Sequence, residues 1–248
     1  MSTVIIVQAR MTSTRLPGKV LKTIAGRPML SYQLERLRQV QNADQLVIAT
    51  TTNKADEAIV ALCVAEGVAC TRGSEHDVLS RYHEAATRFR ATTVVRVTSD
   101  CPLLDPGIVD AAITSFFEPP GYYDYASNMI EPTYPYGMSV EVMSAHALHE
   151  AHLEATDPQE REHVTPFIYW RSDRFRVKSL TMQPNLSNHR WTVDTPEDFL
   201  LVSRILDKLY PVKPHFVMSD VLELLAGHPD WASINRHVKQ HCITQPTK

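Results

Sequence analysis

A basic loop, residues 9–19, contains the first candidates for a functional role. Arg10, Arg15 and Lys19 are spaced around this loop, and residues 1–34 contain no Asp or Glu. One guanidinium group can bind two phosphate oxygens at once, and a lysine adds a compact point charge. The loop lacks the GxxxxGK[ST] and GxGxxG patterns. It predicts an anion-binding site, and the alternative is a surface loop of solvated cations.

Two aspartates could bind the metal ion that usually accompanies a polyphosphate. Asp100 ends an apolar stretch and stands two residues before Pro102, and Asp194 directly precedes the start of a predicted helix. Mg²⁺ prefers one or two carboxylates together with substrate phosphates. The alternatives are a turn residue for Asp100 and favourable helix-dipole placement for Asp194. Their occurrence at two strand ends together with the basic loop favours a metal–triphosphate site.

Predicted strands and helices alternate regularly over the first 117 residues. Continuous β-branched runs are typical of strands buried on both faces of a parallel sheet. The predicted strands are 4–7, 46–49, 68–70 and 94–97. One helix is predicted to begin at Pro28, and three more are predicted at 54–66, 77–89 and 106–117. This alternation predicts an α/β fold with a doubly wound, mostly parallel sheet. Ligands of such sheets bind at the carboxyl ends of the strands, where the basic loop and Asp100 lie.

The pattern becomes mixed after residue 118. Strands are predicted at 122–128, 139–143 and 175–182, helices at 145–155 and 159–170, a short strand at 191–194, a helix capped by Thr195, and a last helix at 219–226. We expect one domain, residues 1–248, in which residues 120–185 form an insertion that selects the second substrate.

The composition excludes several classes of protein. Hydrophobic residues make up 44% of the 248 residues, charged residues 21%, and the net charge is −3. We therefore expect no nucleic-acid partner, no membrane segment, and a cytoplasmic location. The cysteines Cys63, Cys70, Cys101 and Cys242 have no CxxC or zinc-ligand spacing, which predicts reduced thiols.

Two further polar residues, Glu141 and His163, can each be interpreted either as structural or as functional. Glu141 interrupts an apolar strand between Val140 and Val142, so it lies either on a solvent face or in a binding cleft. His163 lies on an amphipathic helix, where an ordinary hydrogen-bonding role is the commoner one.

Several motifs resemble those of the cytidylyltransferases that activate acidic sugars, the superfamily of the CMP-Kdo and CMP-sialate synthetases. The resemblance is greatest to its spore-coat-polysaccharide branch and spans residues 3 to about 205. The motifs are Val7-Gln8-Ala9-Arg10-Met11-Thr12-Ser13-Thr14-Arg15-Leu16-Pro17-Gly18-Lys19, Gly73-Ser74-Glu75-His76-Asp77-Val78-Leu79-Ser80-Arg81-Tyr82, Thr98-Ser99-Asp100-Cys101-Pro102 and Val193-Asp194-Thr195-Pro196-Glu197-Asp198, with weaker matches at Ser127-Asn128, 137–141 and 162–165.

The resemblance implies a fold of the nucleotide-diphospho-sugar transferase type, CTP as donor, a small acidic acceptor, Mg²⁺ as cofactor and a homodimer. It implies nucleotide-binding roles for Ala9, Arg10, Ser13, Arg15, Lys19, Thr50, Arg72, Gly73 and Asp77, of which Lys19 and Arg10 would be catalytic. It implies metal binding by Asp100 and Asp194. More weakly, it implies contacts to the second substrate from Asn128, Glu141, His163 and Arg190.

The expected reaction is transfer of CMP from CTP to an acidic sugar or related acid, with release of pyrophosphate. One alternative is a glycosyltransferase that uses a nucleotide sugar, although Ser99-Asp100-Cys101 is not a DxD motif. Another is a nucleotide-binding protein without catalysis. The chain departs from the Kdo and sialate enzymes around the base-binding loop and in its middle section, so the acceptor stays open.

Overall fold

This computed structural model describes residues 2–240 of the chain. They contain nine strands and ten α-helices. The strands are β1 Thr3–Gln8, β2 Thr23–Ile24, β3 Arg27–Pro28, β4 Gln45–Thr51, β5 Ala69–Gly73, β6 Thr93–Thr98, β7 Tyr125–Ser127, β8 Glu141–Ser144 and β9 Val177–Ser179. The helices are α1 Met29–Leu37, α2 Glu57–Glu66, α3 Val78–Arg88, α4 Pro106–Phe116, α5 Ala145–Glu154, α6 Pro158–His163, α7 Pro166–Tyr169, α8 Pro196–Leu209, α9 Met218–Gly227 and α10 Pro229–Ala232.

Seven of these strands form one sheet in the order β5-β4-β1-β6-β8-β7-β9, and β2 and β3 form a separate short hairpin. β1 lies between β4 and β6 and is parallel to both. β8 runs antiparallel to β6 and to β7, while β9 is parallel to β7. The mostly parallel sheet and the mixed second half confirm the predicted fold class.

Alternate residues of the parallel strands pack on opposite faces of the sheet, as the period of two requires. Ile5 and Val7 of β1 join a core with α1, α4 and α8, whereas Val4 and Ile6 join a second core with α3, α5 and α7. Both faces are therefore covered by helices, which explains why the strand sequences are continuously apolar.

Two predicted elements differ in the structure. Residues 191–194 form no strand: this segment follows a single parallel bridge between Tyr136 and Arg190. The apolar residues Trp191 and Val193 resemble a strand pattern because both are buried in the core. The helix predicted at 159–170 is broken into α6 and α7 at Val164, whose φ is +73°. This conformation is rare for a β-branched residue.

Two glycines are required where segments of the site meet. Gly18 has a φ of +68° and permits the turn that begins the 3-10 segment Lys19–Leu21. A Cβ atom at Gly137, with φ +107°, would lie 2.6 Å from the carbonyl carbon of Trp191. Only glycine allows the chain at position 137 to approach the 191–192 backbone so closely.

The remaining expectations concern cysteines and membranes. Cys63, Cys70 and Cys101 are free thiols, and Cys242 lies outside the described residues. Within residues 2–240, no helix is both long enough and apolar enough to span a bilayer.

Candidate nucleotide-binding site

Lys19 lies at the centre of a charged cluster at the carboxyl edge of the sheet. Its Nζ donates to Asp100 Oδ2 at 3.2 Å, to Asp194 Oδ1 at 2.9 Å and to the Val193 carbonyl oxygen at 2.7 Å. Burial lowers the pKa of Lys19, but the charges of the two carboxylates and their hydrogen bonds raise it above its ordinary value. The ammonium therefore stays charged between the two predicted metal ligands.

Backbone contacts bring the two aspartates together across the sequence. Asp100 lies two residues after the end of β6, and its carbonyl oxygen accepts from the Val193 N–H at 2.8 Å. The hydroxyl of Thr98 orients the Asp100 carboxylate by donating to Oδ1 at 2.5 Å. A strand end and a distant loop are thus joined before any ligand is added.

Asp194 is surrounded by cations. Besides Lys19, the Arg15 guanidinium lies 3.1 Å from Oδ1 and the Arg190 guanidinium lies 2.8 Å from Oδ2. Burial raises the pKa of Asp194, but Lys19, Arg15 and Arg190 together hold it below its usual value. Arg190 also pairs with Asp198 at 2.9 Å, so the cluster contains three basic and three acidic groups, of which Arg15 is the most exposed.

Asp198 is a residue of this site whose full role the sequence did not reveal. It forms a capping box with Thr195 at the start of α8. The carboxylate is fully buried and also accepts from Arg190 Nε at 2.9 Å, from the Asp194 N–H at 3.0 Å and from Asn235 at 2.8 Å. Asp198 therefore fixes both the backbone of Asp194 and the guanidinium beside it.

The basic loop has a defined shape. The Met11 carbonyl oxygen accepts from the N–H groups of Ser13 and Gly18, at 3.0 and 2.9 Å, and the Ala9 N–H donates to the Ala49 carbonyl oxygen at 3.2 Å. Arg10 forms no side-chain hydrogen bond within residues 2–240, and the side chain of Arg15 is 42% exposed. These two guanidiniums remain accessible to an anion.

Asp56 is a second positioning residue that sequence reasoning missed. It is fully buried, and its Oδ1 accepts from the Met11 N–H at 2.7 Å while Oδ2 accepts from the Thr51 N–H at 3.2 Å. The carboxylate thus ties the basic loop to the end of β4. Its signal in the sequence was only an acidic residue five positions after a buried strand.

Four further residues predicted to bind the nucleotide lie at the ends of β4 and β5 and at the start of α3. Thr50 is fully buried, and its hydroxyl has no hydrogen-bond partner among the described residues. Arg72 donates to the Thr51 carbonyl oxygen at 3.0 Å and pairs with Glu57, and Gly73 is the last residue of β5. Asp77 caps α3 and pairs with Arg161. Their contact with a base stays a prediction.

The residues predicted to face the second substrate are mostly occupied by internal partners. Glu141 is 7% exposed, pairs with Arg96, and accepts from the hydroxyls of Tyr125 and Thr165, both at 2.6 Å. The Asn128 side chain bonds the backbone of Met138 and Val140, and Arg190 is bound as described above. His163 is half-buried and has no side-chain hydrogen bond within residues 2–240. Acceptor contacts from these four residues stay a prediction.

The carboxylate oxygens of Asp100 and Asp194 around Lys19 could serve as ligands of a magnesium ion that also binds the substrate. Asp100 Oδ2 and Asp194 Oδ1 both lie within 3.2 Å of one nitrogen, so a cation already fits between them. In the described part of the chain, no group of three or more His, Cys, Asp or Glu residues could hold a metal by itself. A metal here would complete its ligands with phosphate and water, which is the habit of Mg²⁺.

Comparisons with known proteins agree with this geometry. The sequence model of the cytidylyltransferase family matches residues 4–209. An uncharacterised protein of Methanocaldococcus jannaschii is 36% identical over 95% of this chain and 95% of its own length. The spore coat polysaccharide biosynthesis protein SpsF of Bacillus subtilis is 33% identical over 92% of this chain and 95% of its own length.

Among solved structures, a cytidylyltransferase from Leptospira borgpetersenii superposes with a TM-score of 0.89 and 29% identity. The match covers 98% of this chain and 100% of the other. The same fold and a family match over most of the sequence have one explanation: the chain belongs to the cytidylyltransferase family of nucleotidyltransferases.

Proposed function

We propose that this protein transfers CMP from CTP to an acidic sugar or a related acid and releases pyrophosphate. The observation that supports it most is the cluster of Lys19, Asp100 and Asp194, with Arg10 and Arg15 open beside it. In-line transfer at phosphorus depends mainly on positioning and charge neutralisation, and this cluster can supply both.

In the proposed reaction an acceptor oxygen attacks the α-phosphorus of CTP. The bond from that phosphorus to the bridging oxygen of pyrophosphate breaks, and the acceptor proton is released. Arg10, Arg15 and Lys19 would bind the triphosphate and offset the charge that develops on the leaving group. Asp100 and Asp194 would hold Mg²⁺, which supplies Lewis-acid stabilisation of the phosphate oxygens when bound.

Lys19 has to change partners for this reaction. In the structure its ammonium lies between the two carboxylates. A triphosphate would draw Lys19 and Arg15 towards its own charge and leave the carboxylates to the metal. Nucleotide and metal are therefore expected to bind together.

Residues 120–185 are proposed to form the acceptor side and a homodimer contact. This section adds β7, β8 and β9 to the sheet beyond β6. It also exposes large apolar side chains, with Tyr122 48%, Ile130 38% and Leu153 68% exposed. Light scattering on the purified protein would measure the oligomeric state, and a monomer at all concentrations would contradict the dimer.

The test of the function is a pyrophosphate-release screen of the four nucleoside triphosphates against a panel of acidic sugars and related acids. We expect release with CTP and at least one acceptor, and a loss of about 100-fold in Asp100→Asn, the scale of removing one stabilising contact. The absence of pyrophosphate release with every pair would contradict the proposal. So would a near wild-type rate in Asp100→Asn.

A further inference from the structure

Three loops at the nucleotide half of the sheet meet at one carboxylate, that of Glu75. Thr12 of the basic loop donates its hydroxyl to Glu75 Oε1 at 2.5 Å, and the amide of Asn53, two residues after β4, donates to Oε2. Glu75 itself lies in the connection between β5 and α3. The loops that follow β1, β4 and β5 thus converge on a single acceptor group.

The Glu75 carboxylate is charged, and Thr12 and Asn53 take up only part of its hydrogen-bonding capacity. The hydrogen bonds from Thr12 and Asn53, and then the charge of Arg10, hold the pKa of Glu75 below its ordinary value. Two carboxylate oxygens have about four lone-pair positions, of which these donors take two. Glu75 is half-exposed, so the remaining positions can accept from a ligand at the rim.

The connection that carries Glu75 is rigidly held. Arg81 donates to the Ser74 carbonyl oxygen at 2.9 Å, and the Asp77 N–H donates to the Ser74 hydroxyl at 3.2 Å. Asp77 in turn pairs with Arg161. An acceptor on such a fixed loop can discriminate between ligands, because it cannot move away from an unfavourable one.

The position of Glu75 relative to the cluster at Lys19 indicates which part of a nucleotide it could contact. The half β5-β4-β1 has the strand order of a mononucleotide-binding unit, and the ligands of such units lie beyond the carboxyl ends of the strands. Glu75 lies at that edge, because it accepts from Thr12 after β1 and from Asn53 after β4, and the charge of Arg10 acts on it. A nucleoside whose triphosphate is bound by the basic loop can therefore reach Glu75.

We infer that Glu75 determines base specificity by accepting a hydrogen bond from the exocyclic amino group of cytosine. This inference rests on the proposed use of a nucleoside triphosphate. A carboxylate is the matching partner for the cytosine amino group, whereas the uracil carbonyl oxygen at the same place would face a negative acceptor. Glu75 would thus favour CTP over UTP both by attraction and by repulsion.

Equilibrium titration of CTP and of UTP with MgCl₂ tests the inference without knowledge of the acceptor. We expect Glu75→Gln to weaken CTP binding by about 10-fold to 100-fold, the range for a hydrogen bond to a charged group. UTP binding should be unchanged or tighter, because the glutamine amide can donate to the uracil oxygen. Glu75→Ala should weaken CTP binding without improving UTP binding.

Glu66→Gln is the matched control, because Glu66 forms a surface pair with Arg38 at 3.2 Å, away from these loops. Its CTP to UTP affinity ratio should equal that of the wild type. An unchanged ratio in Glu75→Gln, with the melting temperature preserved, would overturn the inference and leave Glu75 as a structural contact between loops. Failure of the wild type to bind CTP or UTP would instead contradict the proposed function.

Discussion

Two ionic clusters of similar composition lie on the same sheet, and they differ in what surrounds them. Around Lys19, Asp194 is contacted by three basic groups, and Arg15 is partly exposed. Around Glu141, each oxygen has an internal partner, from Arg96, Tyr125 and Thr165. The first cluster has an exposed cation, Arg15, that a ligand can reach, and the second cluster is closed.

This difference separates binding groups from structural groups better than residue type does. Glu141 and Asp194 were both candidates from the sequence, and both are largely buried carboxylates beside arginines. Only the Asp194 cluster has cations that can exchange an internal partner for a ligand. The comparison predicts opposite effects of substitution on stability and on activity.

The largest effect is expected in the closed cluster. Glu141→Gln leaves the Arg96 charge buried without its counter-charge and should lower the free energy of unfolding by about 3–5 kcal/mol. Urea denaturation followed by circular dichroism measures this. Glu154→Gln, in an exposed pair with Arg174, is the control and should leave the midpoint unchanged. A stable Glu141→Gln protein with lost acceptor binding would show that the cluster is a substrate site.

The open cluster should respond in activity. Lys19→Ala removes the central phosphate-binding cation and should lower kcat/KM for CTP by about 10²–10³-fold. Lys22→Ala, an exposed lysine near the same loop, should keep the wild-type value. Comparable losses in both variants would mean that general positive charge, and not the Lys19 position, matters.

Lys19→Ala also tests the exchange of partners in the absence of CTP. Electron paramagnetic resonance counts free Mn²⁺, a substitute for Mg²⁺. Because the lysine no longer competes for Asp100 and Asp194, Mn²⁺ should bind the nucleotide-free variant about 5-fold to 100-fold more tightly than the wild type. Equal affinities would show that Lys19 does not exclude the metal.

The smallest effect concerns a histidine group outside both clusters. His83 of α3 stacks on His152 of α5 at 4.1 Å, and its Nε2 lies 3.0 Å from His149 Nδ1. Burial, then His152 and His149, lower the pKa of His83, and burial and then Arg161 lower that of His152. The unfolded chain therefore binds more protons below its histidine pKa of about 6.5, so stability is lost as the pH falls.

Melting temperatures at pH 7.5 and pH 5.5 measure this loss. Solvent screening should keep the contribution of the group below about 1 kcal/mol. His83→Gln should reduce the pH dependence, and His146→Gln, a mostly exposed histidine, should not. An equal pH dependence in both variants would exclude the stacked histidines as its source.

The sequence predicted the fold, and it singled out Lys19, Asp100 and Asp194, which the structure brings together, because both depend on local patterns. Buried strands and amphipathic helices have periodic sequences, and Asp100 and Asp194 stand beside their ends. Asp56 and Glu75 were missed as loop-joining residues because their partners in the basic loop lie 45 and 63 residues away. The break at Val164 depends on tertiary packing, which a helical pattern does not encode.

The contact at Gly137 links the two halves of the molecule mechanically. Tyr136 donates its N–H to the His189 carbonyl oxygen at 3.0 Å and accepts from the Trp191 N–H at 2.6 Å, so residues 136 and 189–191 are held together. Asp194 follows this segment by three residues. The connection between β7 and β8 is therefore fixed by its backbone to the segment that carries a carboxylate of the proposed metal site.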